Sequence, residues 1–260
     1  MGLLDFFARK RRQRILEQAP LADREWRRAC AALPFLGGLS AEELARLREL
    51  VVLFLDEKEM SGAAGLALTN GIRLSIAIQA CLPVLNLGLE YYEGWVGIVV
   101  YPGEFVAQRS EHDEDGVVHE YEEAITGEAW SDGPVLLSWE DAAQSGEGYN
   151  VVIHEFAHKL DMLNGNADGM PPLHAGMDRR DWHHALATAY DDFCRRVDSG
   201  EDTAIDPYAA EAPGEFFAVM SEAFFEIPDL VRDEYPLLYA QFRQFYRQDP
   251  AARLRATGAP

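Results

Sequence analysis

Apolar side chains fall on one face of a helix through residues 151–163. Val152, Phe156, Leu160 and Leu163 recur at i, i+4, i+8 and i+11, and Asn164-Gly165 supplies a stop. Ser40-Ala41-Glu42-Glu43 reads as a capping box opening a second helix that carries Leu44, Leu47, Leu50 and Val51. A third covers residues 72–81 and ends at Leu82-Pro83, and residues 3–33 read as mostly helical and polar. Downstream, helical spacing returns over residues 178–197, 214–226 and 229–247. Between these runs the character changes. Residues 95–101 are β-branched and aromatic, residues 117–125 have strand content beside the acidic stretch 111–115, and Gly133-Pro134 introduces a short strand at 135–139. That last strand reads equally as an interior strand or as an edge strand able to pair with an extended substrate. The expectation is a single α+β domain, predominantly helical, with a small, partly antiparallel sheet ahead of the 151–163 helix. Residues 1–90 form its mainly helical first part, 91–248 hold the sheet and the later helices, and 249–260, rich in Ala, Gly and Pro, form a frayed tail.

Length and composition fit that picture: 260 residues, 48% of them hydrophobic, suffice for a large core. No internal repeat or low-complexity linker divides the chain. The formal net charge of -21 disfavours nonspecific attraction to nucleic acid or anionic lipid. The charge is uneven, since eight of the 23 basic residues lie in the first thirty, among them Arg9, Lys10, Arg11, Arg12 and Arg14. These read as a solvated helix face rather than a membrane anchor. Phe6 stands where a myristoylation signal at Gly2 needs Ser or Thr, no secretory signal or membrane span is visible, and a cytoplasmic protein is expected. Cys30, Cys81 and Cys194 are widely spaced, which points to neither a disulfide framework nor a thiolate metal site.

The candidate chemistry sits inside the 151–163 helix. His154-Glu155-Phe156-Ala157-His158 is an H-E-x-x-H motif: two imidazoles four residues apart on one helical face can share a metal ion, and Glu155 points toward what that ion holds. A catalytic zinc takes three protein ligands and keeps one position open. Asp161 follows His158 by three, but residues 154, 158 and 161 climb one helix at about 1.5 Å per residue and cannot readily converge on one ion. Asp161 is better placed as an acceptor for a ligand histidine or as a helix-to-loop hydrogen-bonding residue. The third ligand is sought in the apolar segment 213–226, where Glu215 and Glu222 lie seven apart on nearly one face. On spacing alone, either can serve. His174, His183 and His184 match no metal spacing and read as surface or cap residues.

HEFAHKLDMLNG, the upstream GPVLLSW and the downstream DPYAAEAPGEFFAVMSEAFFE together resemble the Mlc titration factor A family of bacterial zinc peptidases. The likeness runs from the first helix to residue 248 and is most specific over 130–169. At the site, members also resemble the catalytic domain of anthrax lethal factor, in which a tyrosine precedes the ligand glutamate by seven residues. Tyr208 and Glu215 stand seven apart, so the resemblance selects Glu215 as third ligand with His154 and His158, gives Tyr208 the role of oxyanion donor, and makes Glu155 the general base. It implies a gluzincin-like, zincin-like domain with one Zn2+ per chain and aminopeptidase-like hydrolysis of short peptides. It also implies binding of an Mlc-type transcriptional repressor that controls sugar-uptake genes, without direct nucleic-acid contact. The alternative is a regulatory protein that sequesters the repressor, with the metal site secondary. The chain departs from the commoner gluzincin pattern, because Val219 occupies the place of an acid four residues after the ligand glutamate. Support for the ligands therefore falls to Glu222 or Asp161.

Overall fold

Helices α1 (Leu3–Gln18) and α2 (Asp23–Ala31) precede α3 (Ala41–Glu57), which starts at the capping box: Ser40 Oγ accepts the Glu43 N–H at 3.2 Å and Glu43 Oε2 accepts the Ser40 N–H at 2.8 Å. These elements belong to a computed structural model that describes residues 3–19, 21–112, 118–144 and 146–256. The expectations for Gly2, for part of the acidic stretch 111–115 and for the tail end 257–260 lie outside the described residues. Next come β1 (Glu59–Gly62), α4 (Asn70–Cys81), β2 (Gly97–Tyr101), β3 (Phe105–His112), β4 (Val118–Ile125), β5 (Gly127–Ala129) and β6 (Val135–Ser138). The short α5 (Trp139–Ala142) leads to α6 (Val151–Asp161), α7 (Arg179–Asp198), α8 (Pro213–Glu226), α9 (Pro228–Glu234), α10 (Pro236–Tyr246) and α11 (Pro250–Ala256).

Four strands form a mixed sheet in the order β1-β2-β6-β5. The first three are parallel, and β5 runs antiparallel to β6 with Gly127 opposite Leu137 and Ala129 opposite Val135. The β6 strand is therefore interior, so the edge role open to residues 135–139 falls to β5. Strands β3 and β4 pair with each other as a separate antiparallel pair among the described residues. Helix α6 packs between the sheet and α8. Its Phe156 is fully buried among Phe54, Tyr92 and Trp95, at ring-centroid distances of 5.7, 5.0 and 5.7 Å, which welds the H-E-x-x-H helix to the N-terminal helices. On its other side, α8 buries Phe216 against Tyr190 and Phe193, and Phe217, Phe224 and Phe225 against Trp182, Phe242 and Tyr246.

Several boundaries differ from the sequence expectation. Strand β1 lies in the stretch read as helical: four residues with only Met60 buried carry no legible alternation, yet their backbone pairs with β2. The run 229–247 is two helices because Pro236 disfavours helical backbone at Tyr235, which adopts φ -127 and ψ 62. Strand β6 stops at Ser138, whose hydroxyl caps α5. Helix α6 ends at Asp161 and continues as a tight turn over Met162–Asn164, leaving Leu163 42% exposed instead of on the core face. The segment read as a frayed tail begins with α11: Pro250 opens the helix, Asp249 Oδ1 accepts the Ala252 N–H at 3.1 Å, and Arg253 Nη2 donates to Phe35 O at 2.9 Å.

Candidate metal centre

Helix α6 sets His154 and His158 on one face, with ring centroids 4.8 Å apart. The first turn of α8 brings Glu215 to them. His154 Nε2 and His158 Nε2 lie 3.1 and 3.2 Å from Glu215 Oε2 and 3.1 Å from each other, a nearly equilateral triangle. Three tetrahedral donors about 2.0–2.1 Å from one ion stand about 3.3–3.4 Å apart, so the residues fit a single metal such as zinc. The donor chemistry agrees. Glu222 Oε1 accepts from His154 Nδ1 at 2.7 Å, which in the neutral ring leaves the Nε2 lone pair facing the Glu215 carboxylate. Burial opposes a charged imidazole, but Glu215 and Glu222 outweigh it and raise the His154 pKa well above its ordinary value. Burial likewise works to raise Glu215, and protonated His154 and His158 at hydrogen-bonding distance reverse it, holding that carboxyl well below the usual range. Such a cluster asks for a positive charge at its centre. Among the described residues it is the one group of three or more His, Cys, Asp or Glu arranged to hold an ion.

The helix start is fixed by a residue the sequence reading passed over. Asn150 Oδ1 accepts the Ile153 N–H at 2.9 Å, and its Nδ2 donates to Gln79 Oε1 and to Glu226 Oε1, both at 2.8 Å. Its backbone N–H donates to Glu222 Oε2. A buried chain of hydrogen bonds thus runs from α4 through Asn150 and Glu222 to His154. The polar residue directly before the apolar run was the available signal for the cap, whereas its partners at positions 79 and 226 left none.

Glu155 stands beside the triangle, buried, and its Oε2 has no hydrogen-bond partner among the described residues. Burial pushes its pKa up to about 7 against the pull of His154 and His158. Edge strand β5 passes so close that a Cβ at Gly127 would stand 2.3 Å from Glu155 Oε1 and would force that side chain to shift. Lys159, next on α6, donates to Trp130 O and, at 2.8 Å, to Gly133 O, tying the β5–β6 turn to the same helix. Tyr208 lies in the tight turn Pro207–Ala210, held by Asp206 Oδ1, which accepts the Tyr208 N–H at 2.9 Å. Its ring is 6.2 Å from that of His154 and it is 48% exposed. Tyr208, Asp206, Gly127 and Glu155 line, with His154, a cavity of about 330 Å³.

Of the two residues expected to support the ligands, Glu222 touches His154, while Asp161 accepts the Gly169 N–H at 2.7 Å and pins the following loop. Burial pushes Asp161 up to about 6. His174, His183 and His184 stay outside the centre. His174 bridges Phe245 O at 2.7 Å and the Tyr91 hydroxyl at 3.2 Å, and His183 and His184 are exposed on α7.

An H-E-x-x-H helix joined by a distant glutamate is the arrangement of a metallopeptidase, and the comparisons agree. Residues 7–247 match the family described as glucose-regulated metallo-peptidase M90, and the chain belongs to that family. It is similar to Mlc titration factor A of Salmonella typhi, 42% identical over 235 residues covering 88% of each chain. It is equally similar to Mlc titration factor A of Salmonella arizonae, 42% identical over 231 residues, 86% of this chain and 91% of that one.

Proposed function

We propose that the chain is a zinc-dependent peptidase that hydrolyses short peptides in an aminopeptidase-like manner, on a gluzincin-like, zincin-like site. The observation that carries this reading is the meeting of His154, His158 and Glu215 within 3.2 Å beside the buried Glu155, whose Oε2 has no hydrogen-bond partner among the described residues. A purely structural site has no use for Glu155. His154, His158 and Glu215 would hold one zinc ion, which when bound supplies Lewis acidity and makes water more acidic, toward a pKa of about 7. Glu155 accepts the water proton at its carboxylate and delivers it to the leaving amine, a role suited to a carboxyl whose burial places its pKa near 7. Tyr208, on the cavity wall, donates a hydrogen bond from its hydroxyl to the developing oxyanion. Strand β5 offers its outer edge to an extended peptide beside Glu155. Glu222 orients His154 through Nδ1.

Glu155→Gln keeps the ligands and removes the base. Zinc content should stay near one per chain by metal analysis while kcat on a peptide library falls by up to about 10⁴-fold. Undiminished hydrolysis by the metal-loaded variant would overturn the assignment.

A second reading is favoured by the relatives' name, Mlc titration factor A. In it the chain sequesters an Mlc-type repressor, whose basic DNA-binding surface suits a protein of net charge -21, and the metal site is secondary. Pull-down of the repressor with wild type and His154→Ala separates the two: binding indifferent to the substitution makes sequestration independent of the metal. No helix among the described residues is long and apolar enough to cross a membrane. We place this activity in the cytoplasm.

A further inference from the structure

The cavity beside His154 carries three carboxylates, Glu155, Glu222 and Asp206, and among its described lining residues there is no lysine or arginine. Two of the three are committed. Glu222 has one oxygen on His154 Nδ1 and the other on the Asn150 N–H, and Glu155 is buried against β5. Asp206 differs from both. It is exposed at the cavity wall, one oxygen accepts the Tyr208 N–H at 2.9 Å, and it forms no ion pair among the described residues. That single backbone bond fixes the carboxylate at the head of the Pro207–Ala210 turn without neutralising it.

From this arrangement we infer that Asp206 is a specificity-determining residue, which pairs with a cationic group of the bound peptide, either its N-terminal ammonium or a lysine or arginine side chain. The inference rests on the peptidase reading and names the substrate class within it. Among the described lining residues no lysine or arginine stands to pair with a substrate's C-terminal carboxylate, which argues the complementary point. A fixed carboxylate at a cavity mouth favours peptides that bring a positive charge and disfavours acidic ones. Because it acts on substrate and transition state alike, its effect falls on KM more than on kcat.

The test compares four peptides of one length: free amino terminus with neutral side chains, acetylated with one lysine, acetylated with neutral side chains, and acetylated with one glutamate. Asp206→Asn is the informative variant, because its side-chain oxygen can still accept the Tyr208 N–H and keep the turn. Selectivity is the ratio of kcat/KM for a cationic peptide over the neutral one. It should fall about fivefold in Asp206→Asn, through KM, which is the upper end for a solvent-facing ion pair. Asp206→Lys should reverse it in favour of the glutamate peptide. The cationic peptide whose ratio drops identifies the source of the charge. A ratio unchanged in both variants would overturn the inference and leave the peptidase reading standing. Binding to Glu155→Gln, followed by titration calorimetry, keeps the two separable. If wild type cleaves none of the peptides, but Glu155→Gln prefers the cationic ones and loses that preference when Asp206→Asn is added, the peptidase reading fails and the Asp206 assignment holds.

Discussion

The two walls of the site are built on opposite principles. The inner wall, α6 against α8, is aromatic and dry: Phe156, Phe216 and Phe217 are fully buried, and each polar atom of Asn150 and Glu222 named above is spent on a partner. The outer wall, made by β5 and the Pro207–Ala210 turn, presents a three-residue edge strand, a half-exposed Tyr208 and an exposed Asp206. The difference teaches a division of labour. Ligand geometry needs side chains locked by packing and hydrogen bonds, whereas groups that meet a changing substrate must face solvent.

Substitutions on the two walls should therefore fail in different ways. The largest effect on folding belongs to Phe156→Ala, which empties the joint between α6 and the rings of Phe54, Tyr92 and Trp95. It should cost about 3–5 kcal/mol in urea denaturation; Leu163→Ala, on the exposed turn beyond α6, should cost below about 0.5 kcal/mol. Equal losses at the two positions would break the comparison. On the outer wall, Tyr208→Phe should lower kcat about 10²-fold with little change in Tm. A Tm drop without a kcat loss would make Tyr208 part of the packed wall instead.

Glu222→Gln tests the inner wall at the ligand. Removing the charge behind His154 Nδ1 should weaken zinc affinity about 10–100-fold in a competition titration with a chelator, and an unchanged affinity would detach Glu222 from the site. The smallest effect concerns pH. Burial pushes Glu226 up to about 7 from an ordinary 4.5, so the stability this carboxyl contributes is fully present below about pH 4.5 and is lost as pH rises through about 7. Glutamine does not titrate. Between pH 6.5 and pH 8.5 the stability difference between wild type and Glu226→Gln should move in favour of the variant by about 1 kcal/mol, or roughly 2–4 °C in Tm. A difference constant with pH would mean that Glu226 is already ionised when folded.

What could be read from the chain beforehand follows the range of the interactions. Helix α3 announced itself through Ser40 and Glu43 three residues apart, and α6 through its apolar period, because both signals are local. Strands β1 and β5 did not, since four and three residues are too few for an alternation and their pairing is made with distant backbone. In the site, the His154, Glu155 and His158 spacing was legible for the same local reason. Glu215 and Glu222 were indistinguishable by spacing, and only family likeness chose between them. The geometry gives them different places, Glu215 at the two Nε2 atoms and Glu222 behind Nδ1. The bonds of Asn150 to Gln79 and Glu226 span more than seventy residues and leave no periodic trace.

The place where β5 passes Glu155 carries a last consequence. The smallest edit to a protein chain is one added methyl, and at Gly127 it would land 2.3 Å from the Glu155 carboxylate oxygen. Part of the site is thus specified as a volume kept empty, which no search for functional groups detects. Any transplant of the H-E-x-x-H helix into another scaffold has to carry that vacancy along with the side chains, or Glu155 arrives with its residues intact and its direction wrong.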